Sequence, residues 1–168
     1  MNTQTRSSDP FIEQLTNNAT SWLGHRQADH KEIIMGQTFV APGAGDLDSI
    51  EVYSAIVASP GEVKMSLHRF DTEKQSWGPE LGVAHVNFNS SCNDKWIAFK
   101  MPGLHLDKGF TYGFLLESHD SYIGLGEAAG SAKNPPFASG KEWMFIDRNK
   151  AHEYAYFSLT FKVGLKAA

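Results

Sequence analysis

Hydrophobic and polar residues alternate with a period of two along most of this chain. Ile50, Val52 and Ile56 alternate with Glu51, Tyr53 and Ala55, and Val63, Met65 and Leu67 alternate with Lys64, Ser66 and His68. That period sends successive side chains to opposite faces of a strand. Further strands are predicted at Ile33 to Val40, Val83 to Phe88, Trp96 to Lys100, Tyr112 to Leu116, Ser121 to Leu125 and Trp143 to Ile146. Toward the end, Ala155, Phe157, Leu159, Phe161 and Val163 oppose Tyr154, Tyr156, Ser158, Thr160 and Lys162, which predicts one long strand.

Turn signals separate these runs at Pro42-Gly43, Ser59-Pro60-Gly61, Asn89-Ser90-Ser91, Pro102-Gly103 and Lys108-Gly109. The polar stretch from Asp71 to Pro79 and the small-residue stretch from Gly126 to Gly140 predict loops. Many short strands with no helical period between them predict an all-β fold, a two-sheet antiparallel β-sandwich over 31–168. A parallel βαβ arrangement is excluded, because no crossover helices are present. Residues 1–30 read as an N-terminal arm, partly irregular. Its first eight residues are polar, and Asp9-Pro10 opens a short helix or irregular segment with Phe11, Ile12 and Leu15 on one side.

The chain has 168 residues, enough for one domain with a sizeable core. Its net charge of -4 argues against nucleic-acid binding, which needs a basic field to displace counterions from phosphates. Cys92 is the single cysteine, so no intrachain disulfide and no thiolate zinc site can form. No run approaches the roughly 20 apolar residues of a membrane-crossing helix, so no membrane insertion is expected. Met1 to Pro10 lacks the apolar segment of a secretory signal.

Several pieces together carry a resemblance. They are Gly36-Gln37-Thr38-Phe39, Leu47-Asp48-Ser49-Ile50-Glu51-Val52-Tyr53, Val63-Lys64-Met65-Ser66-Leu67, Trp96-Ile97-Ala98-Phe99, and the run from Leu106 to Leu116. In this order they resemble jelly-roll, galactose-binding-like modules, similar to the carbohydrate-binding modules of bacterial secreted and surface proteins. The resemblance spans Gly36 to Leu165. It implies a sandwich fold, a carbohydrate ligand, and an extracellular or cell-surface setting.

A sugar site needs aromatic rings that face solvent, because the apolar face of a pyranose stacks on a π-surface while polar groups take its hydroxyls. The predicted outward faces offer Tyr53, His68, Tyr154 and Tyr156, with Tyr154 and Tyr156 side by side as the best platform. The alternative is that the arm or a loop covers this face. A second group lies in loops: Trp77, Tyr122 and Trp143, with His119, Asp120 and Glu127 as polar partners. Its alternative is that Trp77 and Trp143 cap the core at its rim.

Asp46 and Asp48, in a glycine-rich turn, are candidate oxygen ligands for a structural calcium ion, although turn aspartates commonly bond their own backbone. No other cofactor is expected. Seven histidines are scattered without His-x-His or His-Glu-x-x-His spacing. Glycosidase-like carboxylate pairs, Glu117/Asp120 or Glu142/Asp147, compete with ordinary surface solvation. The leading expectation is therefore a non-catalytic binding module for carbohydrate. The alternatives are an assembly protein that joins a protein partner or its own copies through the arm or a sheet edge, and an enzyme of unrecognised type.

Overall fold

The computed structural model describes residues 11–148 and 150–166. It is an all-β, antiparallel sandwich of fourteen strands. They are β1 (Ile12–Gln14), β2 (Ala19–Arg26), β3 (Lys31–Val40), β4 (Gly45–Ser59), β5 (Gly61–Asp71), β6 (Ser76–Phe88), β7 (Lys95–Lys100), β8 (His105–Leu106), β9 (Thr111–Glu117), β10 (Tyr122–Ala129), β11 (Glu142–Ile146), β12 (Lys150–Tyr154), β13 (Phe157–Leu159) and β14 (Phe161–Leu165). One layer is built from β1, β14, β4 and β7, and the other from β2, β3, β9, β5 and β6. Strand β10 joins them by pairing with β4 on one side and β2 on the other.

The alternating apolar positions meet between the layers, as the period of two requires. Phe39 of β3 and Phe114 of β9 contact Phe161 of β14, with ring centroids 6.2 and 5.6 Å apart. Val63, Met65 and Leu67 of β5 join Ile50 and Val52 of β4 in the same buried core. Cys92 is buried at its margin and unpaired.

Four local predictions change, the first being that the loop expected from Gly126 begins only after Ala129, so that Glu127 lies on β10. The segment expected to be a short helix or irregular arm carries β1 and β2 instead. Strand β1 pairs with β14 through Ile12↔Val163 and Gln14↔Phe161, burying Ile12 and Gln14 while Leu15 stays exposed. A helix this short would have to form a costly first turn with little gain, whereas β14 offers a ready ladder. The part of the expectation that concerns residues 1–10 lies outside the described residues.

The expected loop from Asp71 shrinks to a tight turn because β6 already begins at Ser76. Asp71 Oδ1 accepts the N–H groups of Glu73 and Lys74, both at 3.0 Å, and so closes the hairpin.

The long terminal strand is broken into β12, β13 and β14. The chain takes three partners in turn, β11, then β10, then β4, and a turn at Ala155–Tyr156 separates the first two. Ser158 and Thr160 are consequently buried rather than outward. The Ser158 hydroxyl donates to the Leu159 carbonyl at 2.9 Å, and the Thr160 hydroxyl to the Thr16 carbonyl at 2.7 Å.

Candidate functional site

Strand β3 has two neighbours along the same edge. Strand β2 pairs with it only from Lys31 to Ile33, and β11 takes over from Ile33 to Gln37. Ile33 faces both Gly24 of β2 and Ile146 of β11. Beyond that point β2 follows β10 and leaves β11, so the sheet forks. Gly24 makes the fork possible. It adopts φ +111°, and a Cβ there would lie 2.0 Å from the Ser121 carbonyl oxygen.

The fork opens a cleft of about 370 Å³. Trp22 and Arg26 line it from β2, Ile33 and Met35 from β3, and Tyr122 and Glu127 from β10. Glu142 and Met144 face it from β11, with Tyr154 and Phe157 from the strands that follow. Trp22 and Tyr122 stack with centroids 4.7 Å apart and planes 19° from parallel. Tyr154 meets Phe157 edge-on at 5.8 Å.

Two carboxyls face each other across this fork. Glu127 comes from β10 and Glu142 from β11, and they are 7% and 2% exposed. Burial, then a hydrogen bond with Glu127, then the charge of Glu127 push the Glu142 carboxyl far above its ordinary range, so it keeps its proton at neutral pH. Its Oε1 is buried with no N–H or hydroxyl donor in reach among the described residues. Arg26 does not neutralise the pair. Its Nε and Nη2 bind both oxygens of Asp29 at 2.9 and 2.5 Å, and that hydrogen bond holds Asp29 down to about 2.

Tyr122, Tyr154 and Glu127 are thus brought together, although the sequence placed Tyr154 in one group and Tyr122 with Glu127 in the other. Trp22, Phe157 and the partnership of Glu142 with Glu127 were not foreseen. Trp22 lies in the segment read as an arm, where Thr20, Trp22 and the boundary glycine at 24 form a strand signal too short to stand out. Glu142 is not paired with Asp147, whose Oδ1 instead accepts the Glu32 N–H at 2.9 Å beyond the far end of β11.

The other predicted residues lie elsewhere. The Tyr154/Tyr156 platform does not form, because Tyr156 sits in the turn after β12, 48% exposed and outside the cleft. Tyr53 packs edge-on against Trp96 at 5.5 Å. His68 is buried, held by the Ser66 hydroxyl and the Gly78 carbonyl, both at 2.8 Å. Trp77 lies edge-on over His68 and Phe70 and contacts Trp143, 5.9 Å between centroids, in a packed cluster on the outer face of β5 and β9. His119 reaches Glu32 at 2.9 Å, and Asp120 accepts the Glu62 N–H at 3.2 Å. Both belong to a polar basin in which Glu117 binds Arg148 and His85 lies 3.2 Å from Glu62. Lys64 lies 3.6 Å from Glu117 there, and Asp120 accepts the Ser118 hydroxyl at 3.2 Å as well.

Asp46 contacts His105 at 2.8 Å and Asp48 contacts Lys100 at 3.3 Å. Each faces a basic side chain. Among the described residues, no three His, Cys, Asp or Glu side chains gather as metal ligands. No described helix is long and apolar enough to cross a membrane.

No family model and no curated protein matches the chain. Among solved structures it is similar to that of the cysteine protease and lectin-like domains of Cwp84, a surface layer associated protein of Clostridium difficile. The identity is 9% and the TM-score 0.48; the likeness covers 88% of this chain, which spans 36% of the other.

Proposed function

We propose that the protein is a non-catalytic binding module whose cleft takes a carbohydrate. The carrying observation is the pairing of an aromatic wall, Trp22 stacked on Tyr122, with the buried acceptors Glu127 and Glu142 in one opening. A sugar ring presents an apolar face and a rim of hydroxyls, and this wall and these acceptors complement both. The volume of about 370 Å³ lies in the range of small-ligand sites.

A glycan array followed by isothermal titration tests the reading, with Trp22→Ala as the variant. Removing the ring is expected to weaken a bound glycan about tenfold, the equivalent of about 1.4 kcal/mol. If no glycan binds at about millimolar concentration, the function is not carbohydrate recognition. For the assembly alternative, the described part of the arm already pairs within its own chain through β1 and β2, which speaks against that part as a strand donor. The free edge β6 carries Pro79 and a β5–β6 ladder with register shifts, features that oppose strand addition.

A further inference from the structure

The cleft holds acid without base. Glu127 and Glu142 approach from opposite walls, and each is more than nine-tenths buried. The cation on the lining, Arg26, is engaged by both oxygens of Asp29. Glu142 lines this space, and its Oε1 is buried with no donor from the described residues. Buried carboxyl oxygens without donors are costly, so the site is suited to a ligand that brings both N–H groups and positive charge.

The surrounding walls favour the same ligand. Trp22, Tyr122, Tyr154 and Phe157 present π-surfaces, which attract an organic cation through the negative faces of their rings. A neutral hydroxyl can donate one hydrogen to the pair and leaves any charge on it unbalanced. An ammonium group has three donors, enough to reach both carboxyls, and supplies the missing charge.

We propose that the cleft selects a sugar bearing a free primary amine, with the ammonium group seated between Glu127 and Glu142 and the ring against Trp22. The inference rests on the carbohydrate reading above and narrows it to amino sugars. Seating the ammonium displaces the proton shared by the carboxyls, and that proton passes to the buffer. The other titratable groups lining the cleft are Arg26, Tyr122 and Tyr154, with His152 beside Tyr154, 6.4 Å between ring centroids.

The test compares a trisaccharide of glucosamine with its fully N-acetylated counterpart, which differs only in the amine. Both are titrated into the whole chain and into Glu142→Gln. The amine form is expected to bind the unaltered protein about 10- to 100-fold more tightly, the usual worth of hydrogen bonds to charged groups. That preference should shrink to within about threefold in Glu142→Gln. Titration in buffers of differing ionisation heat should show proton release for the amine form and none for the acetylated one.

Equal binding of the two sugars by the unaltered protein would overturn the inference while the carbohydrate reading stood. Binding of neither trisaccharide overturns it too, and the array then decides separately whether carbohydrate is the ligand class. Because the comparison of the two sugars needs only the unaltered chain, a variant that failed to fold would not rescue the proposal.

Discussion

Strand β11 divides two aromatic clusters, and they differ in what they leave open. On one face, Trp143 and Phe145 stack 6.2 Å apart and pack with Trp77 and Phe70. On the other, Glu142 and Met144 look into the cleft with Trp22, Tyr122 and Tyr154. The first cluster rests on a floor made close by Gly36 and Gly113, over which the Trp77 ring lies flush. The second has the β2–β11 fork as its floor, where no strand fills the gap. Aromatic content is alike on the two sides, but the first leaves a smaller opening of about 250 Å³ at its Phe70 and Trp143 end, while the backbone fork gives the second its cleft of about 370 Å³.

The largest effect that would break this comparison is expected at Trp143. It is buried within the closed cluster, so Trp143→Ala should cost about 3–5 kcal/mol of stability in urea unfolding. A loss below about 1 kcal/mol would mean that the outer cluster is not packed shut.

A smaller cost is expected at Gly113, where an added Cβ would come within 2.4 Å of the Trp77 ring. Gly113→Ala should destabilise by about 1–3 kcal/mol through overpacking. Gly103, whose Cβ would meet nothing within 4 Å but whose φ is +90°, serves as a contrast in which any cost is backbone strain alone. A neutral outcome at Gly113 would show that the indole can slide away and that this side, too, can open.

On the cleft side the sharper probe is pH. Native Glu142 holds its proton far above the ordinary carboxyl range, whereas the unfolded chain releases it near about 4.3. Between those values the native state binds more protons, so stability falls as pH rises. Glu142→Gln removes that slope. The variant should gain on the parent by about 1.4 kcal/mol for each pH unit between about pH 5 and about pH 8, read from unfolding at each pH. A difference that stayed flat with pH would remove the shared proton from the cleft.

How far the sequence reached is visible in the same two clusters. The sandwich core was legible because strands such as β4, β5 and β9 alternate cleanly, with Val52, Met65 and Phe114 on their inner faces. The alternative for Trp77 and Trp143, packing in place of binding, was also readable from the frequency with which indoles close a core. The fork was not. It depends on β2 leaving β3 after Ile33 and on Gly24 admitting Ser121, which are pairing choices made across the fold. Residues that meet only there, such as Glu127 and Glu142, are 15 positions apart on strands with different partners, and no local period links them. The Tyr154/Tyr156 platform failed for the related reason that a two-residue rhythm continues on paper through a turn where the chain changes partner.

That failure supplies the smallest effect and the cleanest control. Tyr154 and Tyr156 are two residues apart and chemically identical, yet one lines the cleft and the other stands in the turn beyond it. The structural role of Tyr156 in the turn is carried by its backbone, whose carbonyl accepts the Gly130 N–H at 2.7 Å and survives truncation of the ring. Tyr156→Ala should therefore change stability by no more than about 0.5 kcal/mol and leave glycan affinity where it was. Tyr154→Ala takes away a cleft wall and should weaken binding severalfold, measured in the same titration. If the two variants lost affinity equally, the binding surface would extend over the turn. The fork would then be one edge of the site and not its whole extent.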